Sequence, residues 1–447
     1  MSTFQIAVLM IFGFSILIGV MVFALKPRTS DPGTDVDYGT VVVWGTLPAS
    51  VVENVTRDMG VTMKVQYTQK SESSLLSDMK DVLSMGGDER LDAIILPPGE
   101  FINYKPWLYP LPETFITESS LRSTYVGQSD MYIGETGIYA IPLVIDPMVM
   151  YWNTDIFYSN AESLPPTLWD EFKTLAPKMT ILGDDRIIVK RSTIPFGEYS
   201  NITNAKDIIS MLIMQSGAPI ISSEKGVLNV DVNSPVGDVS QPGVSALEFY
   251  MEFSNKDLPT YSWNRSLPSS KDMFATGDSA VYFGYASEFS EIEKRNPHLK
   301  FDVAMVPQKR TTSNKLTFGK MIGISMLNNS SNKLGAAKLI EMLTGGGATK
   351  DTTYVQRMSD GLNLPPAHRI LLAKKPKGIS PSMLLFYDAA LISRSWPDPS
   401  PNETDRIFQT AVDSVLSSKL VVDQAISSLQ SQLEQIVSIF EKKTNKK

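Results

Sequence analysis

Cysteine is absent from all 447 residues. That excludes disulfides, thiolate nucleophiles, Cys-ligated zinc and iron–sulfur clusters. It also excludes a lipid-modified cysteine as a membrane anchor. Histidine is nearly absent, with only His298 and His368. A His-rich metal site cannot be assembled, and a Ser-His-Asp triad would have to use one of these two. No G-x-G-x-x-G follows a strand, and no P-loop, H-E-x-x-H or G-x-S-x-G occurs. An excess of positive charge is lacking too: 41 Lys and Arg face 48 Asp and Glu, for a net charge of -7. A nucleic-acid surface needs clustered cations, so that class is excluded. These absences leave no cofactor to expect and no catalytic centre.

What is present begins with a long apolar run. Phe4 to Leu25, "FQIAVLMIFGFSILIGVMVFAL", carries no charge over 22 residues, and about 20 cross a bilayer. A cleaved signal would show a basic n-region, a shorter apolar core and a small-x-small site. "MSTFQ" has no Lys or Arg and "VFALKP" is a poor cleavage site, so residues 1–25 read as an uncleaved single-span anchor, with a signal peptide as the alternative. Lys26 and Arg28 follow it, and charge alone would place the large domain in the cytoplasm. Residues 26–39, "KPRTSDPGTDVDYG", read as a flexible tether.

The rest, with 43% hydrophobic residues, is ample for a large core. "TVVVWG", "VTMKVQYTQ" and "LDAIILPP" read as strands. Helices over Ala49 to Asp58 and over "SSLLSDMKDVLSMG" separate them. This β-α-β-α-β run predicts a parallel sheet with helices on both faces. Ligands sit beyond the carboxyl ends of such strands, here Trp44-Gly45-Thr46 and Pro97-Pro98-Gly99-Glu100. "IYAIPLVIDPMVMYW" is extended but holds Pro142 and Pro147, which predicts an edge or crossover strand. A helix starting near Thr167 has that threonine as N-cap and Asp170-Glu171 in its first turn. Further helices are expected over Lys206 to Ser216 and Val244 to Asn255. Strands follow at "SAVYFGYA", "FDVAMVP" and "GISML". A helix then ends at Gly345-Gly346-Gly347, and two amphipathic helices close the chain. The last of them packs on its own domain or forms a coiled coil.

Among the single motifs, "TGGGATK" ends a helix, the wrong polarity for phosphate. His368 reads as a surface or capping residue. What remains is a set of aromatics at strand ends: Trp44, Tyr151-Trp152, Tyr199, Phe283-Tyr285 and Trp396. Any one of them is more often core than site. Together, with carboxylates nearby, they would suit a sugar ring or another apolar-faced ligand.

"GIYAIPLVIDPMVMYWNTDIF" and "LPPTLWDEF" resemble the signature of bacterial extracellular solute-binding proteins of ABC importers, in the maltose-binding-like branch. "VVVWG", "MFATGDSAVYFGYAS", "LNNSSNKLGAAKLIEMLT" and "SWPDPSPNETDRIFQTAVDSVLSSKLVVDQAI" resemble later parts of it in the same order. The resemblance implies an α/β, two-lobe, periplasmic-binding-protein-like (type II) clamp behind the N-terminal transmembrane helix. Residues 40–145 with 303–346 would form lobe 1, and residues 146–302 with 347–447 lobe 2. Pro142 to Trp152 would be the first hinge crossover, and Pro165-Pro166 would lead into the first helix beyond it. Carried over by position, Trp44 and Glu100 would line the cleft from lobe 1. Tyr151, Glu198, Tyr199, Tyr285 and Trp396 would line it from lobe 2 or the hinge. Trp152 departs from the pattern, since an Asn usually follows the Tyr and Asn153 comes one residue later.

The implied protein is a monomer on the outer face of the cell membrane, without catalytic activity or metal. It would hold a solute, carbohydrate before peptide or another polar molecule, for ABC permease subunits. The alternative is a structural or protein-interaction module that keeps the fold.

Overall fold

In the computed structural model of the chain, residues 36–85, 90–224, 227–310, 315–346 and 352–444 are described. The expected span Phe4 to Leu25 and most of the tether lie outside them. Among the described residues, no helix is long and apolar enough to cross a membrane.

One mixed sheet organises the chain. Its strands are β1 (Thr40–Gly45), β2 (Lys64–Gln69), β3 (Ala93–Leu96), β4 (Ile141–Asn153), β5 (Val281–Tyr285), β6 (Phe301–Ala304), β7 (Thr317–Met326) and β8 (Ser393–Arg394). The path runs β5-β4-β7-β3-β1-β2, with β6 on β4 and β8 on β7. β1 pairs in parallel with β2 and β3, as the β-α-β reading predicts. All four residues of β3 are buried, which suits a continuous apolar strand covered on both faces.

The helices that matter below are α1 (Ala49–Thr56), α2 (Glu72–Met85), α3 (Ala205–Gln215), α4 (Thr353–Leu362), α5 (Pro401–Leu416) and α6 (Val422–Thr444). α1 stops short of the expected Asp58, because a 3-10 turn takes over at Arg57–Val61.

β4 lies inside the sheet and not at an edge. It meets different partners along its length. Its first half pairs with β7 from Ile141 to Pro147, and on the other side Ile145 N–H donates to Pro365 O. Its second half, from Met148 on, runs between β5 and β6. The partner change falls at Pro147, which has no N–H to give to a ladder. Pro142 and Pro147 both lie opposite glycines of β7, Gly323 and Gly319, and the register slips between Ile322 and Gly323. The prolines therefore mark a crossover, the other half of the expectation.

β4 and β7 thus join two packed sides. The parallel side holds β1–β3, α1 and α2. The antiparallel side holds β5, β6, α3 and the C-terminal pair α5–α6. α6 buries Ala425, Ile426, Leu429, Leu433 and Val437 at helical spacing, and packs on its own chain against α5 and Pro242–Glu252. α4 packs on α1, with Arg357 Nη1 2.8 Å from Asp58 Oδ2.

Two capping expectations shift. At the helix after Pro165-Pro166, Glu171 Oε2 accepts from Thr167 N at 2.7 Å and Leu168 N at 3.1 Å. The carboxylate, and not the Thr167 hydroxyl, satisfies the free N–H groups there. His368 caps Arg369–Lys374 by accepting from Ile370 N, but it is buried and not on the surface. Gly345 does end its helix, at φ +66°, a region that glycine enters without strain.

Candidate functional site

The carboxyl ends of β1, β2 and β3 bring Trp44, Lys70 and Glu100 to one rim of the parallel side. Lys70 Nζ lies 4.2 Å from the Trp44 ring centroid and 2.9 Å from Asp78 Oδ2. Glu72, in the first turn of α2, is exposed beside them. Glu100 is half-buried, and among the described residues its carboxylate has no hydrogen bond or ion pair. Burial, reinforced by repulsion from Glu72 and Asp398 and opposed by Lys206, lifts its pKa to about 7.

The antiparallel side faces this rim with the start of α3 and the segment Ser395–Ser400. Lys206 Nζ lies 2.9 Å from Asp398 Oδ2 and also donates to Pro401 O at 3.3 Å and Thr404 Oγ1 at 3.2 Å. Asp398 accepts from Thr404 Oγ1 at 2.7 Å and from Ser400 N at 3.0 Å. Asn103 Nδ2, three residues after Glu100, reaches Asp398 O at 3.5 Å. The two rims therefore meet around Glu100, Lys206 and Asp398. A cavity of about 510 Å³ adjoins them, lined by Tyr199, Asn204, Lys206, Asp207 and Asp405 among others.

Deeper, on the joining strands, Asp146 of β4 and Lys320 of β7 are register partners. Asp146 is buried and accepts from Ser287 N at 3.0 Å. Burial raises its pKa to about 6, against the Ser287 hydrogen bonds and the Lys320 charge. Lys320 Nζ stands 3.9 Å over the Tyr285 ring and 3.8 Å from Asp207 Oδ2. Tyr285 Oη donates to the same Asp207 oxygen at 2.5 Å.

The expected site residues thus fall into two groups. Trp44, Glu100, Tyr199, Tyr285 and Trp396 lie along this meeting line, but each aromatic already has an internal partner. Trp396 is 3% exposed, stacks on Phe408 at 6.2 Å and donates Nε1–H to Ser210 Oγ at 3.1 Å. Tyr199 Oη donates to Asp405 Oδ1 at 2.7 Å. Tyr151 and Glu198 are placed elsewhere. Tyr151 is fully buried among Phe274, Tyr282, Phe289 and Phe301, with its hydroxyl on Tyr285 O at 2.6 Å. Glu198 is buried with Arg265 at 3.3 Å, after Gly197 at φ +94°.

Sequence reasoning missed Lys206, Asp207, Asp146, Lys320 and Asp398. Asp207 and Asp398 had no local signal. Asp146 did: a carboxylate between two prolines, inside an otherwise apolar strand. Among the described residues no group of His, Asp and Glu could hold a metal ion. A second cavity, about 920 Å³, opens beside Arg394–Pro397 between Phe101–Tyr139 and Met214–Leu228. It contains none of the expected site residues.

A family profile described as bacterial extracellular solute-binding protein matches residues 60–367. A binding protein of Brucella abortus is 25% identical over 209 residues, which is 46% of this chain and 46% of that protein. The match thus spans less than half the length of that curated relative. Among solved structures, the cyclic alpha-maltosyl-1,6-maltose binding protein of Arthrobacter globiformis superposes with a TM-score of 0.71 at 13% identity, covering 89% of this chain and 98% of that one. The GacH receptor of Streptomyces glaucescens, solved unliganded and with acarbose, gives 0.65 at 15% identity, covering 90% and 98%. At such identities the structural likeness establishes the fold.

Proposed function

The chain belongs to the bacterial extracellular solute-binding proteins, and on that premise we propose that it closes two hinged lobes on a small solute, carbohydrate first, for an ABC-type importer. It is a binding protein and not an enzyme. The single observation that carries this reading is the meeting of Glu100 with Lys206 and Asp398 across the joining strands. Residues after the carboxyl ends of a parallel sheet face the start of a helix from the other side, where a solute between them would be enclosed. The sugar preference draws on the structural relatives, whose bound ligands include acarbose and maltotetraose.

The lobes are proposed as residues 40–145 with 303–346, and residues 146–302 with the C-terminal helices. α4 rides on the first of these, through α1. β4 and β7 are the hinge strands, where a few residues at the partner change take up the rotation. Trp44, Glu100, Tyr199, Tyr285 and Trp396 belong to the cleft, with Lys206, Asp207, Asp146 and Lys320 added. A monomer, tethered through Phe4 to Leu25 with the domain outside, completes the reading.

A thermal-shift screen against sugars, amino acids and short peptides tests it. Solute at 100 times its dissociation constant stabilises by about 2.7 kcal/mol. A shift with one solute class, lost when Asp207 and Lys320 are both replaced by alanine, supports the cleft. No shift with any small solute would favour the interaction-module alternative.

A further inference from the structure

We infer that the cavity of about 920 Å³ is a second binding site, for a small solute with one carboxylate on an apolar body, held by Arg394 and Ser395. Its place separates it from the cleft. Along Ser395–Asp398, which continues from β8, Ser395 and Pro397 line this cavity. Trp396 and Asp398 alternate with them and turn instead to α3, with Trp396 Nε1 3.1 Å from Ser210 Oγ and Asp398 Oδ2 2.9 Å from Lys206 Nζ. The segment therefore stands between the cavity and the Glu100–Lys206–Asp398 meeting line. A volume of this size is that of a small-molecule site.

Both packed sides supply its walls. Trp107, Leu108 and Tyr139 come from one, and Met214, Ile221 and Phe440 from the other. Such a lining takes up an apolar body. The cations of the lining are unspent. The Arg394 side chain makes one hydrogen bond, from Nη1 to Ser393 O at 2.8 Å, and among the described residues it reaches no carboxylate. Its Nη2 lies over Gly127, where a Cβ would stand only 2.7 Å away. The guanidinium is thus placed by close backbone approach and not by an ion pair. Lys105 Nζ lies 5.5 Å from the Tyr139 ring centroid, and it too reaches no carboxylate among the described residues.

Ser395 adds a neutral donor. Gln128, on the same lining and 5% exposed, donates from Nε2 to Ser395 Oγ at 2.6 Å and to Gly319 O at 2.8 Å. That uses one lone pair of the hydroxyl and leaves its proton free. The acids of the lining set the charge of the solute. Asp130 is held by Arg122 at 3.1 Å, Glu441 accepts from Leu228 N at 3.2 Å, and Glu135 is exposed. A phosphate dianion would be repelled by these three. An uncharged solute would leave both cations unpaired. A single carboxylate matches the guanidinium fork with two parallel hydrogen bonds. Partial burial, then repulsion from Arg369, lowers the Arg394 pKa against the attraction of Asp130, so an anion is welcome there.

An aliphatic and an aromatic acid share this chemistry. The full chain, in one nonionic detergent throughout, is titrated by calorimetry with octanoate, hydrocinnamate, the amides of both, and acetate. At least one of the two acids should bind about tenfold more tightly than its amide, and acetate, which lacks the body, should bind far more weakly than that acid. Arg394→Met, which keeps the stem, should remove the advantage of the acid. Arg394→Lys should restore part of it, and Ser395→Ala should weaken the acid several-fold, with melting temperatures confirming that each variant folds. If Arg394→Met does not fold, the other two variants carry the test. Asp207→Ala with Lys320→Ala, which disables the cleft, should leave the acid within about twofold. Equal binding of acid and amide overturns the inference. So does an acid whose binding survives Arg394→Met but not the cleft variant, and so does the absence of binding by both acids. None of these outcomes touches the proposed cleft, which stands or falls on its own solute screen.

Discussion

Lys206 Nζ and Asp398 Oδ2 stand 2.9 Å apart with side chains only 16% and 9% exposed, although 192 positions separate them in the chain. This pair fastens the start of α3 to the segment that leads into α5. Two charges removed from water need both their Coulomb attraction and a full set of hydrogen bonds, and here Ser400, Thr404 and Pro401 complete the set. The pair therefore sets the shape of the antiparallel rim before any solute arrives.

Removing one member should cost more than removing both. Lys206→Met leaves Asp398 nearly buried without its cation, and urea denaturation should show a loss of about 3 kcal/mol. Lys206→Met with Asp398→Asn should recover more than half of that. A single variant as stable as the parent would mean that the pair contributes nothing.

Stability of the solute-free protein should fall as pH rises through the neutral range. Glu100 and Asp146 titrate near 7 and 6 in the folded state, both above their ordinary values. The folded protein therefore binds more protons than the unfolded chain between those limits, and stability is lost as the pH climbs through them. Melting temperatures from pH 5 to pH 8 should decline, and Glu100→Gln and Asp146→Asn should each flatten part of the slope. A slope unchanged in both variants would assign it to other groups.

Tyr151 should behave as core. Tyr151→Phe removes one hydrogen bond to the Tyr285 carbonyl and should cost about 1 kcal/mol. Tyr151→Ala empties the space between four aromatic rings and should cost about 3–5 kcal/mol. Solute affinity should be unchanged in the phenylalanine variant, and a tenfold change would return this residue to the cleft.

Trp396→Ala should lower stability by about 3–5 kcal/mol, because it loses the Phe408 stack and the Ser210 hydrogen bond together. Loss of binding in that variant would then report on folding. Circular dichroism melts beside the titration distinguish the two; a stable, non-binding variant would make Trp396 a contact residue alone.

The proposed tether through Phe4 to Leu25 predicts a protease-sensitive linker. Protease added to intact cells should cut within Lys26 to Gly39 and release a soluble fragment. Protection until the cells are lysed would reverse the orientation.

Local pattern was enough for most of the framework. Alternation and apolar runs placed β1, β2 and β3, because a buried strand must be apolar wherever it falls. Pro142 and Pro147 marked the crossover, since a proline withholds an N–H in any fold. Helical spacing put Ala425, Ile426, Leu429 and Leu433 on one buried face of α6. The site was less legible. A strand sends alternate side chains to opposite faces, and which face is core depends on partners far away in sequence. Tyr151 looked like a site residue beside Trp152 until β5 and β6 closed over it. Nothing in the sequence pairs Lys206 with Asp398, and only the approach of α3 to the Ser395–Ser400 segment buries them together. Strands and helices were legible from local pattern, because those preferences act over a few residues. Tertiary structure alone decided which charges would meet, because a Coulomb contact requires two chain positions within a few ångströms and places no mark on the residues between them.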